Sequence, residues 1–87
     1  MAIDAFDDQP PHVPHLTPYD EQHINTYLRL LDADHEGASW TEAARIIFGI
    51  DPAKEPERAR RVHNSHLARA RWMTSAGYRE FLKPPRQ

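Results

Sequence analysis

Ile24, Tyr27, Leu28 and Leu31 fall at i, i+3, i+4 and i+7, one stripe of a 3.6-residue helix. Thr17 stands before Pro18 with Asp20 three residues on, so the spacing predicts a helix that begins here, and the polar run Asp32 to Gly37 closes it. Ser39 and Glu42 then form an S-x-x-E capping box ahead of Trp40, Ala43, Ala44 and Ile47, which repeat the helical spacing until Gly49 offers a left-handed stop. This predicts a second helix, with Trp40 buried between helices. Ile50 plugs the turn that follows, and Pro56 reopens helix as a first-turn proline. From there nothing breaks the pattern before about Ala76. Gly77 ends the third helix, Tyr78 to Leu82 read as a brief fourth helical turn, and Lys83-Pro84-Pro85 terminates it.

No stretch alternates as a strand would. The expected fold is all-α: a small three-helix, helix-turn-helix variant over residues 17–82, with a short extra C-terminal turn and a flexible tail at 83–87. Residues 1–16 mix scattered acids with Pro10, Pro11 and Pro14, and each proline removes an amide donor and biases its predecessor away from helix. They read as a disordered acidic arm, within which Ile3 and Phe6 could dock on a partner groove once ordered.

Eighty-seven residues leave room for one core. With no cysteine, disulfides, thiolate nucleophiles and Cys-based zinc or iron–sulfur sites are excluded and the chain reads as cytoplasmic; three scattered glycines make no phosphate-cradling loop. Mean hydropathy is -0.80, and no apolar run would span a bilayer. The net charge of -2 conceals a division. Residues 1–42 carry nine acids and one base, whereas residues 43–87 carry ten bases and four acids. Such asymmetry implies a charged partner for the basic half, an acidic segment that shields it, or both.

Around the third helix, Ala59, Val62, His66, Ala70 and Met73 share a core-facing side, flanked by His63 and Leu67. The other side holds Arg58, Arg60, Arg61, Asn64, Ser65 and Arg71, with Arg69 at the border and Glu57 as its acid. Forked guanidinium donors in that density suit phosphates or carboxylates; the alternative is a solvated face stitched by pairs such as Glu57 to Arg61. Trp72 falls on the polar side, where either Phe81 and Leu82 fold back over it or it anchors a partner. His63 and His66 lack a third ligand for a metal, and no serine sits in a nucleophile elbow. No catalytic residue and no cofactor are expected. In a helix-turn-helix, the third helix would present Arg58, Arg60, Arg61 and Asn64 to phosphates and base edges.

The runs SWTEAARIIFGIDP (39–52), EPERARRVHNSHLARARWM (55–73) and GYREFL (77–82) resemble a proteobacterial domain family, formerly of unknown function, found in regulators of integrative and conjugative elements. In larger members the domain is regarded as a DNA-binding helix-turn-helix. The short stand-alone layout is similar to the QseM-type antiactivators, which bind activator proteins of the TraR and FseA types and hold element transfer off. The resemblance thus implies transcription activators as partners; the residues expected to contact them are those read from the basic face, Arg58, Arg60, Arg61, Asn64, Ser65, Arg69, Arg71 and Trp72, with Ile3 and Phe6 of the arm. DNA stands as the other partner. The acidic first half, which would repel phosphate or fold over the basic face, favours the protein partner.

Overall fold

Thr17 starts the helical part of the chain with a reciprocal cap: its hydroxyl accepts from the Asp20 amide, and the Asp20 carboxylate accepts from the Thr17 amide at 2.9 Å. The structure, a computed structural model, describes residues 6–77. Helix α1 (Pro18–Gln22) runs only to His23, whose φ of -114° and ψ of 21° break the ladder before α2 (Ile24–His35) resumes it. The His23 ring fixes the break, since its Nδ1 donates to the Tyr19 carbonyl at 2.8 Å and the ring stacks on Tyr19. The first predicted helix is therefore two, and it runs on through Asp32 to His35. Gly37, at φ 84°, ends it in a Schellman turn: Ala38 N–H donates to Ala33 O and Gly37 N–H to Asp34 O.

The buried stripe of this helical pair differs from the expected one. Asp20, His23, Tyr27 and Leu30 are buried, while Leu28 is 55% exposed and Ile24 and Leu31 are half-buried. Periodicity counts Asp20 and His23 as polar surface, but both are hydrogen-bonded inside, and their stripe turns Leu28 outward.

Helix α3 (Trp40–Phe48) begins where Ser39 Oγ accepts from the Glu42 amide at 3.2 Å and ends at Gly49, whose φ of 69° gives the left-handed cap expected there. Ala43, Ala44, Ile47 and Phe48 are buried, and the Ile50 plug fills the turn. Trp40 is half-buried, not enclosed; its ring lies on the rim beneath the Arg60 guanidinium, 4.9 Å away.

Helix α4 (Pro56–Trp72) packs on both α2 and α3. Its predicted inner side is buried throughout: Ala59, Val62, His63, His66, Leu67, Ala70 and Met73. Leu30, Ala44, Ile47, Phe48, Ile50, Ala59, Val62 and Leu67 make the main core, and Tyr27, Ala70 and Met73 a second cluster. After Trp72 the α-helical ladder widens into a π-helical turn, Met73–Gly77, so the α-helix stops short of Ala76. The turn proposed for Tyr78 to Leu82, the 83–87 tail and Ile3 lie outside the described residues.

Residues 6–16 have no helix or strand, as their prolines dictate, but they do not hang free. Phe6 packs edge-on against Phe48 with ring centroids 5.0 Å apart, and Pro10 is buried. The described part of the arm is seated on α3 and α4, where Phe6 meets Phe48 and arm carbonyls accept from Ser65 and Arg69.

Candidate nucleic-acid interface

The outward side of α4 is formed by Glu57, Arg60, Arg61, Asn64, Ala68 and Arg71, all exposed and repeating at three and four residues. Arg58, Ser65 and Trp72 flank this stripe, half-covered by the arm. Helical geometry thus brings together most of the basic residues singled out by sequence. What each guanidinium touches differs from one to the next.

Arg58 donates from Nε to Asp8 Oδ1 at 3.1 Å and lies 3.5 Å from Glu55. Arg61 donates from Nη2 to Asp8 Oδ2 at 3.2 Å, so one arm carboxylate bridges both arginines. Their hydrogen bonds hold the Asp8 carboxyl below its ordinary value. Ser65 Oγ donates to the Asp8 carbonyl and to Val62 O. Arg71 reaches across to Asp34 on α2 at 2.7 Å. Arg60 has no carboxylate partner among the described residues and rests on Trp40. Asn64 Oδ1 accepts from His63 Nδ1 at 2.8 Å, which leaves its amide N–H groups to offer outward.

Arg69 does not belong to this surface. It is buried, and its fork is consumed inside the chain: Nε and Nη2 donate to Asp20 Oδ1 and Oδ2 at 2.9 and 2.7 Å, Nη1 to Val13 O, and Nη2 also to His15 O. The guanidinium also lies over the Trp72 ring at 4.0 Å. Trp72 is half-buried: it obtains cover from this stacking and, with residues 10–14, lines a cleft of about 350 Å³. Phe81 and Leu82, the cover expected from sequence, are outside the described residues.

The burial of Asp20 escaped the sequence reading, as did the partners of His66, a residue it placed on the inner side of α4. The Asp20 carboxylate accepts five hydrogen bonds, from Arg69 twice, Tyr27 Oη, Thr17 N and Thr17 Oγ1. Burial opposes its ionisation, but these donors outweigh burial and hold the carboxyl at about 2. His66, wholly buried, donates from Nδ1 to Val62 O at 2.8 Å, so its Nε2 is the acceptor for the Tyr19 hydroxyl at 2.7 Å. Tyr19 Oη accepts in turn from the Asp7 amide. The signal available in sequence was the spacing of Asp20 and Tyr27, seven apart and hence on one helical side, with Arg69 at the border of the basic face. His63 and His66 both spend a ring nitrogen on protein acceptors, and among the described residues no group of three His, Asp or Glu is placed to hold a metal ion.

Away from α4, a groove of about 490 Å³ lies between α2 and α3, rimmed by Asp32, Glu36, Glu42 and Arg29 and floored by alanines, with Ile46 58% exposed at its edge. The described surface therefore has two electrostatic characters: a basic stripe partly neutralised by the arm, and an acidic groove.

A helix pair, α3 and α4, joined through residues 49–55 and braced by α2, with arginines along the outer side of the second helix, has the layout of a DNA-reading helix-turn-helix. A family model described as the DNA-binding domain of a T6SS transcription factor, RovC, matches residues 3–83. The chain belongs to this family. No curated protein matches it. The match takes in the described part of the arm, with Phe6 and Asp8, as well as the four helices. No described helix of the domain is long and apolar enough to cross a membrane.

Proposed function

We propose that this RovC-type domain is a cytoplasmic transcriptional regulator that binds duplex DNA through α4. The observation that carries the reading is the exposed stripe Arg60, Arg61 and Asn64 near the start of the second helix of a helix-turn-helix pair, in a family of transcription-factor DNA-binding domains. Lying in the major groove, this stripe would meet base edges with Asn64 and the phosphate backbone with Arg58, Arg60 and Arg61, while α3 crosses the strand. Arg71, about one turn beyond Ala68, would follow the backbone outward. One such domain buries little surface, so tight recognition calls for a second copy on an adjacent half-site. Selection of bound duplexes from a randomised pool tests this directly: a recurring motif, with half-sites spaced by about one helical turn, is the expected result. Recovery of no motif together with no salt-dependent retention of the pool would overturn it.

A second reading is a transcriptional antiactivator that sequesters TraR-type and FseA-type activators by protein contact and so represses excision and conjugative transfer of an integrative and conjugative element. The acidic groove between α2 and α3, with Ile46 exposed on its rim, favours it, since a basic amphipathic helix would suit such a surface. Reversal of Asp32 and Glu36 to lysine would then abolish capture of the activators while leaving DNA binding intact.

A further inference from the structure

Asp8 of the arm is held against the side of α4 by two arginines. Arg58 and Arg61, one turn apart, converge on the two oxygens of a single carboxylate at 3.1 and 3.2 Å, and Ser65 Oγ donates to the backbone carbonyl of the same residue at 3.3 Å. Two guanidinium groups sharing two oxygens of one anion is also the arrangement that the two non-bridging oxygens of a phosphodiester accept. Resting on the DNA reading above, we infer that Arg58, Arg61 and Ser65 form a clamp for one backbone phosphate, and that Asp8 fills this clamp in cis until DNA displaces it.

The neighbours of Asp8 explain how a carboxylate comes to be held there. Phe6, two residues before it, packs on Phe48 and lies beneath Arg58, whose guanidinium is 5.8 Å from its ring; Pro10, two residues after it, is buried. The arm is thus pinned on both sides of Asp8, and its carboxylate is delivered by anchored backbone. The ion pairs themselves remain accessible, with Asp8, Arg58 and Arg61 side chains 38–46% exposed. Exposed pairs of this kind are weak and salt-sensitive, so a polyanion can replace the carboxylate without unseating Phe6 or Pro10. The pull of both arginines lowers the Asp8 carboxyl below its ordinary range, so the group that DNA must displace is a charged carboxylate. An acidic residue that lowers the affinity of every duplex equally would raise the share of binding that depends on base contacts.

The test is a fluorescence-anisotropy titration of the full chain with a labelled duplex of arbitrary sequence, from about 50 to 200 mM salt, a range over which phosphate contacts dominate affinity. Asp8→Asn should bind several-fold more tightly than the parent at the low end, with the gain shrinking toward the high end as salt screens the Asp8 pairs that DNA must break in the parent. Asp8→Glu should match the parent. Adding Arg58→Gln and Arg61→Gln to Asp8→Asn should erase the gain, and a gain that survives would trace to net charge alone and overturn the clamp. Equal affinity for the parent and Asp8→Asn across the range would overturn the clamp while leaving the DNA reading standing. Failure of every variant to bind at about 50 mM salt would remove that reading and the clamp with it.

Discussion

Arg69 and Asp20 face each other across the interior as a bidentate pair at 2.7 and 2.9 Å, both buried, tying the start of α1 to the last turns of α4. The pair has its remaining valences met by Tyr27, Thr17 and the carbonyls of Val13 and His15. Removing one partner leaves a buried charge uncompensated, at a cost of about 3–5 kcal/mol. Asp20→Ala and Arg69→Met should each cost this much in urea unfolding, and the double variant should cost clearly less than their sum. Strict additivity would mean the two groups do not depend on each other.

The same cluster sets a pH dependence. The Asp20 carboxyl is at about 2 in the folded chain against 3.8 ordinarily, so on acidification the unfolded chain takes up this proton first. Its contribution is present above pH 3.8 and is lost as pH falls toward about 2. His66 behaves as a second, earlier titration: burial lowers its value below 6.5, so stability is full above that pH and declines as pH drops beneath it, when the unfolded imidazole protonates and the buried one resists. Melting midpoints should therefore hold steady from pH 8 to 7, fall below about 6.5, and fall again below about 3.8. His66→Gln should flatten the first decline and leave the second in place.

Trp40 lies half-open beneath Arg60, so Trp40→Ala should cost about 2 kcal/mol, short of the 3–5 typical of a fully enclosed aromatic. Gly49→Ala should cost about 1–2 kcal/mol, because a Cβ at φ 69° crowds the following carbonyl. Both are read from denaturant midpoints at unchanged slope.

On DNA, the exposed stripe should divide by role. Arg60→Ala should weaken all duplexes by a similar factor, whereas Asn64→Ala should lower discrimination at one base position by about 1–3 kcal/mol, seen by comparing selected and mismatched duplexes. Because His63 Nδ1 holds Asn64 Oδ1, His63→Ala should also shift that preference.

Periodicity and caps were enough to place Thr17, Ser39, Gly49, Pro56 and the inner side of α4, because each depends on local backbone geometry or on apolar spacing within one helix. The stripe of α1 and α2 was not legible in the same way. Asp20 and His23 become interior only through Arg69, forty-nine residues on for Asp20, and through Tyr19, and a scale that scores them as polar turns the helix the wrong way. Arg69 was misassigned to the surface for the converse reason: one residue at the border of two faces is decided by its partner. The seating of the arm also depended on distant contacts, Phe6 with Phe48 and Asp8 with Arg58 and Arg61, which composition cannot specify.

The most direct measurement is amide chemical-shift mapping of the isotopically labelled chain during titration with a duplex carrying the selected motif. The account predicts that shifts gather on Arg60, Arg61, Asn64 and Ser65 of α4 and on Asp8 of the arm, with the α2–α3 groove unmoved. Perturbation centred on Ala33, Glu36, Glu42 and Ile46, with the α4 stripe silent, would contradict it.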